Sequence, residues 1–208
     1  MQLIWYKQSG FRLAERERII YIDPWVVPEG EPPADFIFLT HAHFDHFDLP
    51  TIGRLRMPHT VVIAPPDVAQ QLSGEHVIAV GPNEQRTIDH LQFQTVPAYN
   101  LKKHFHPKEN NWVGYILTTN GERIYHAGDT DAIPEMNDIS CDIALLPIGG
   151  TYTMNVPEAV KAAKILKAPR IIPMHFGFIV GSRKDGAKLA ALLPGKVDEL
   201  KPQLPFER

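Results

Sequence analysis

The run Thr40-His41-Ala42-His43-Phe44-Asp45-His46 puts three imidazoles and a carboxylate into six consecutive positions, 41 to 46. Before it, Asp35-Phe36-Ile37-Phe38-Leu39 is a short apolar stretch with strand character. After it, Asp48-Leu49-Pro50 reads as a helix start with Asp48 as N-cap. The cluster therefore belongs on a strand-to-helix loop. On a short extended segment, residues two apart project to one side, so His41 and His43 can offer ring nitrogens to one cation. Asp45 and His46 follow where the chain turns toward the helix, and they can serve a second cation. Zinc accepts nitrogen and carboxylate oxygen together, and two ions about 3.5–4 Å apart can hold a bridging hydroxide and clamp a leaving oxygen. The chemistry such a loop suits is hydrolysis.

A chain of 208 residues with 44% hydrophobic composition can bury a sizeable core, and a single domain over residues 1–208 is the expectation. A net charge of −3 and the lack of any lysine or arginine block give no reason to expect nucleic acid as a partner. Cys141 is the only cysteine, which excludes an intramolecular disulfide and a cysteine-based structural zinc site, and fits the reducing cytoplasm. Met1 to Lys7 contains no basic segment leading into a long apolar core. No later run approaches the roughly 20 apolar residues needed to span a bilayer. The expected partner is a small-molecule substrate, with neither secretion nor membrane insertion.

Short apolar stretches recur as strand candidates at Leu3 to Tyr6, Phe11 to Ala14, Ile19 to Ile22, Phe36 to Leu39, Val61 to Ala64, Val77 to Val80 and Leu91 to Val96. Asp48 to Met57 and Asp67 to Ser73 are the helices expected among them. Trp112 to Thr118 and Glu122 to His126 are joined by Asn120-Gly121, a pair suited to the positive φ angles of a tight hairpin. Ile143 to Ile148 and Arg170 to Met174 read as buried strands. Between them, Asn155-Val156-Pro157-Glu158 has the form of a capping box, followed by Ala159, Ala162, Ala163 and Leu166 at helical spacing. Lys184 to Leu193 is the last expected helix, closed by Pro194-Gly195. Two batches of strands, each closed by helices, point to an α/β fold: two mixed sheets face to face with helices outside, a four-layer αββα sandwich.

One loop cannot complete a two-metal centre. Asp129 follows a strand and a glycine that permits a sharp turn, and His175 sits at the end of another strand. A carboxylate can bridge two cations, and an imidazole can complete the shell of the second. With Tyr21-Ile22-Asp23-Pro24, Thr40 to His46, Tyr125 to Thr130, Leu145 to Gly149 and Pro173 to Gly177, the chain resembles the metallo-β-lactamase-fold superfamily of metal-dependent hydrolases. Within it, the chain is similar to the compact prokaryotic branch related to the ascorbate-phosphate lactonase and the N-acylphosphatidylethanolamine phospholipase D. The resemblance implies the αββα sandwich, a binuclear site at one edge of the sheets, and His41, His43, Asp45, His46, Asp129 and His175 as ligands. Asp23 matches an early aspartate that orients the loop, although a simple turn residue before Pro24 would look the same.

The chain departs from the superfamily at Val96-Pro97-Ala98-Tyr99-Asn100, where Asn100 stands in place of a third histidine for the first metal. An amide oxygen is a weaker zinc ligand than imidazole. Asn100, His104 or His106 would have to complete that site, with His106 favoured slightly because Pro107 stiffens it. A mononuclear site is the other option. His126 reads as a packing or supporting residue, and Lys102, Lys103, Lys108 and Arg183 receive no role. The expected activity is hydrolysis of an ester, lactone or phosphodiester by a metal-bound hydroxide, with Asp45 as both ligand and proton acceptor and with one or two Zn2+ ions. Mn2+ or Fe2+ could take the place of zinc, and two alternatives stand beside this reading: an iron-containing member of the same fold with redox chemistry, and a non-catalytic metal-binding protein supported only by Asn100.

Overall fold

A computed structural model describes residues 2–15 and 18–206. The chain forms two compact units, one made of the residues up to Gly81 plus Lys201–Pro205, the other of Pro82–Leu200 plus the residues from Phe206 onward. Each unit holds one six-stranded mixed sheet.

In the first unit, β1 (Gln2–Lys7), β2 (Gly10–Glu15), β3 (Arg18–Ile22), β4 (Ala34–Phe38), β5 (Arg56–Ala64) and β6 (Val77–Ala79) lie side by side in chain order. The pairs β1–β2 and β2–β3 are antiparallel, and the pairs from β3 to β6 are parallel. Parallel neighbours need crossovers; α1 (Leu49–Leu55) and α2 (Pro66–Ala69) supply those from β4 to β5 and from β5 to β6, while residues 23–33 join β3 to β4 without a helix. The strand period of two puts Ile37 and Leu39, then Val62 and Ala64, on one face. Ile52 and Leu55 of α1 and Val68 of α2 pack on them in a single buried cluster.

The second unit orders its strands β12-β11-β10-β9-β8-β7: β7 (Gln85–Ile88), β8 (Leu91–Pro97), β9 (Val113–Thr119), β10 (Glu122–His126), β11 (Ile143–Pro147) and β12 (Arg170–Met174). β7 to β10 pair antiparallel, and β10 to β12 pair parallel. Asn120 and Gly121 take φ of 48° and 81° in the two-residue turn that brings Thr119 opposite Glu122. The capping box forms. Asn155 Oδ1 accepts from Glu158 N at 3.0 Å and Glu158 Oε2 accepts from Asn155 N at 2.8 Å, starting α3 (Val156–Leu166), which buries Ala159, Ala162, Ala163 and Leu166. The last helix, α4, runs Asp185–Leu192.

The two mixed sheets with helices are those the strand pattern called for, but several elements differ. The first sheet ends at β6, so Leu91 to Val96 belongs with the later strands. β7 was not foreseen, because Gln85-Arg86-Thr87-Ile88 is exposed or half-buried throughout and offers no apolar alternation. α2 stops at Ala69, where i→i+3 bonds from Gln71 N to Val68 O and from Leu72 N to Ala69 O tighten the chain. Asp48 is the N-cap residue of α1, yet its carboxylate accepts from the Thr51 hydroxyl and Val26 N rather than from a helix amide. Short 3₁₀ turns at Lys108–Asn110 and Pro134–Asp138 interrupt two loops. No helix among the described residues is long and apolar enough to cross a membrane.

Candidate metal centre

In each sheet the chemistry-bearing residues sit beyond the carboxyl ends of strands that run in the same direction, the edge where open α/β sheets place their ligands. In the first unit these are Asp23 after β3 and the loop after β4. In the second they are Asn100 after β8, Asp129 after β10 and His175 after β12.

Asp23 is fully buried and adopts φ of 45°, a left-handed conformation uncommon outside glycine. Its carboxylate accepts from Thr40 N at 2.8 Å, from Thr40 Oγ1 at 2.6 Å and from His46 Nδ1 at 2.7 Å. A carboxylate can only accept there, so His46 carries its proton on Nδ1 and keeps the Nε2 lone pair for a metal. The same logic extends one step. Thr40 Oγ1 gives its hydrogen to Asp23, so at 2.9 Å it accepts from His41 Nδ1, which fixes His41 in the same tautomer.

The loop itself does not remain extended as the spacing suggested. It bends at Ala42–His43, and His46 N and Phe47 N both donate to His43 O, at 3.0 and 2.8 Å. The rings still gather, with His41 centred 4.7 Å from His43 and 4.0 Å from His46, while Asp45 Oδ2 lies 3.8 Å from His46 Nε2. Gln8, in the β1–β2 turn, donates from Nε2 to Asp45 Oδ2 at 3.0 Å, a contact with no signature in the sequence. Phe44, between two members of the motif, turns outward, 67% exposed, against the edge of Trp25.

In the second unit Gly128 takes φ of 64° and donates its N–H to His126 Nδ1 at 3.2 Å, so His126 holds the turn that delivers Asp129. His175 has φ of 55° and brings Nε2 to 3.1 Å from Asp129 Oδ2. His106, buried to 1% exposure, brings its Nε2 to 3.4 Å from the same oxygen, whereas His104 is exposed. Asn100 occupies the place of the expected third histidine, and its amide is turned to other groups. Oδ1 accepts from His106 N and His106 Nδ1, each at 3.1 Å, and Nδ2 donates to Asp131 Oδ1 at 3.2 Å and Tyr152 O at 3.0 Å. His106 is thus also protonated on Nδ1, and its Nε2 lone pair faces a carboxylate oxygen. A metal ion or a proton on Nε2 satisfies such an apposition, and imidazole and carboxylate donors together fit a metal ion.

The loop bearing His106 is tied down further on. Tyr99 donates its hydroxyl to Glu135 Oε2 at 2.9 Å, and Lys108 Nζ meets Glu135 Oε1 at 2.9 Å. Burial pushes the Glu135 carboxyl upward, but the hydrogen bonds from Lys108, its own backbone N–H and Tyr99, with the Lys108 charge, together outweigh it and hold the group below its ordinary range. Burial raises the Tyr99 hydroxyl. Lys103 pairs with Asp131, and Arg183 lies over the Phe206 ring, so these cations have structural partners.

The family model of the "Beta-lactamase superfamily domain" matches residues 10–176. A UPF0173 metal-dependent hydrolase of Methanoculleus marisnigri is 31% identical over 98% of this chain and 98% of its own length. The chain belongs to this superfamily of metal-dependent hydrolases. Among solved structures of the fold, a chain from Parabacteroides distasonis matches with a TM-score of 0.85 at 31% identity, covering 96% of this chain and 93% of that one. Igni18, a metallo hydrolase from Ignicoccus hospitalis, matches with a TM-score of 0.76 at 26% identity, over 96% and 94%.

Proposed function

We propose that both clusters serve one binuclear zinc centre that hydrolyses a small ester, lactone or phosphodiester in the cytoplasm. In this reading His41, His43, Asp45, His46, His106, Asp129 and His175 would hold the ions. The observation that carries it is the chain of hydrogen bonds from Asp23 through His46 and Thr40 to His41, which leaves two Nε2 atoms as ligands beside Asp45. Neither cluster alone offers the donors that two zinc ions require, and membership of a metal-dependent family supports pooling them. Imidazole and carboxylate donors in this proportion suit zinc, and Mn2+ or Fe2+ are the alternatives that metal analysis would reveal.

The chemistry a zinc pair supplies when bound is activation of water near neutral pH and polarisation of the carbonyl or phosphoryl oxygen under attack. Asp45, held at Oδ2 by Gln8, is placed to accept the proton that the water gives up. Asp23 keeps His46 and the Thr40 turn in register, so the ligand geometry does not have to be organised at each turnover. The test is elemental analysis of protein purified without added metal, with hydrolysis of generic ester and phosphodiester substrates measured before and after chelation. Two zinc ions per chain with chelator-sensitive, zinc-restored turnover is the expected result. Turnover that survives complete removal of metal would refute it.

A further inference from the structure

We propose that Asn100 is a positioning residue that sets the tautomer and the ring direction of His106, doing with a neutral amide in the second unit what Asp23 does with a carboxylate in the first. This rests on the reading of His106 as a metal ligand. The argument begins with the amide's own orientation. Its Nδ2 faces two acceptors, Asp131 Oδ1 and Tyr152 O, and a flipped amide would set its oxygen against both, so Oδ1 must face His106. An oxygen there admits only a protonated Nδ1, and the Nε2 lone pair is then directed at Asp129.

The clasp is closed on the backbone as well. Asn100 N donates to His106 O at 2.8 Å while His106 N donates to Asn100 Oδ1 at 3.1 Å, so the intervening loop is pinned at both ends by one residue. The His106 ring meets Trp112 edge-on at 5.7 Å, which limits its remaining rotation. Asp131 is itself fixed by Leu101 N at 2.9 Å and by Lys103. A chain of orientation thus runs from Lys103 through Asp131 and Asn100 to the His106 ring. The asparagine that stands where a ligand histidine is expected has a defined task, which is to aim the histidine six positions later.

The experiment is a zinc titration of the metal-stripped full chain against a chromophoric chelator, with zinc stoichiometry by elemental analysis and thermal unfolding of the metal-free forms. Four chains are compared: wild type, His106→Ala, Asn100→Ala, and the exchanged pair Asn100→Asp with Asp131→Asn. Asn100→Ala should weaken the same zinc ion that His106→Ala loses, by about 10–100-fold, the usual effect of removing a ligand's hydrogen-bond partner. The exchanged pair keeps an acceptor toward His106 and a donor between positions 131 and 100 but sets a carboxylate oxygen against Tyr152 O, so it should recover part of that affinity. Zinc binding by Asn100→Ala as tight as in wild type, with one ion lost in His106→Ala, would overturn the positioning role alone. Undiminished binding of both ions by His106→Ala would overturn the ligand reading beneath it. A lowered metal-free melting temperature in Asn100→Ala, with no recovery of zinc affinity in the exchanged pair, would reduce Asn100 to a structural residue.

Discussion

The two units prepare their imidazoles with opposite electrostatics. Around His46 the partner is a fully buried carboxylate that accepts three hydrogen bonds, one of them from the histidine ring. Around His106 it is an amide whose donors and acceptors are all engaged by neighbours. A carboxylate both orients a ring and increases its basicity, whereas an amide only orients it. The first arrangement favours tight metal binding; the second gives geometry without added charge.

Four predictions bear on this contrast. The largest effect is expected at Asp45, the one residue given both a ligand and a proton-accepting role: Asp45→Ala should lower kcat/KM by about 10²–10⁴-fold while far-UV circular dichroism is unchanged. Wild-type turnover in that variant would remove Asp45 from the chemistry. Asp23→Asn turns the first unit's carboxylate into the second unit's amide, and zinc affinity should fall about 10–100-fold, measured by chelator competition. Equal affinity would mean that the charge contrast has no consequence.

Gly149 tests the second unit's backbone, because a Cβ there would lie 2.3 Å from His175 O. Gly149→Ala should cost about 1–3 kcal/mol in denaturant unfolding and displace His175, reducing metal content. The smallest effect belongs to Glu135, the anchor of the His106 loop at Lys108. Its carboxyl is held below the ordinary 4.5, so the stability it adds is present above that pH and lost as pH falls through the depressed value. Glu135→Gln should therefore lower stability at pH 7 by under about 1 kcal/mol, and the gap from wild type should close on acidification below pH 4.5. A gap that persists in acid would assign the loss to packing instead.

What could be read from residues alone follows how local the determining contacts are. His41 to His46 announce themselves because four donors share one turn, and the helix at Asn155 does so because both halves of its cap lie within four residues. Asp129 and His175 are visible as polar residues ending apolar strands. The direction in which Asn100 turns its amide is not visible. It is set by Asp131 and Tyr152, 31 and 52 positions from Asn100, which leave its oxygen toward His106. Gln8 was missed for the same reason, its contact with Asp45 spanning 37 positions. β7 escaped because an exposed strand is defined by the partner it pairs with, here β8, and not by a pattern of its own.

The route of the chain gives β1 an unusual history during synthesis. β1 is an edge strand, and Gln203 N and Leu204 N donate to the carbonyls of Trp5 and Tyr6 at 2.8 and 3.3 Å. All of Pro82–Leu200 is translated between the two partners of that contact. At about 5–20 residues per second, that stretch alone keeps the nascent β1 backbone waiting on the order of 6–24 s for the segment that meets it. During that interval the ribosome holds a first sheet whose β1 border is open and pairing-competent, the stage at which a chaperone or a neighbouring nascent chain has its best chance of capturing it.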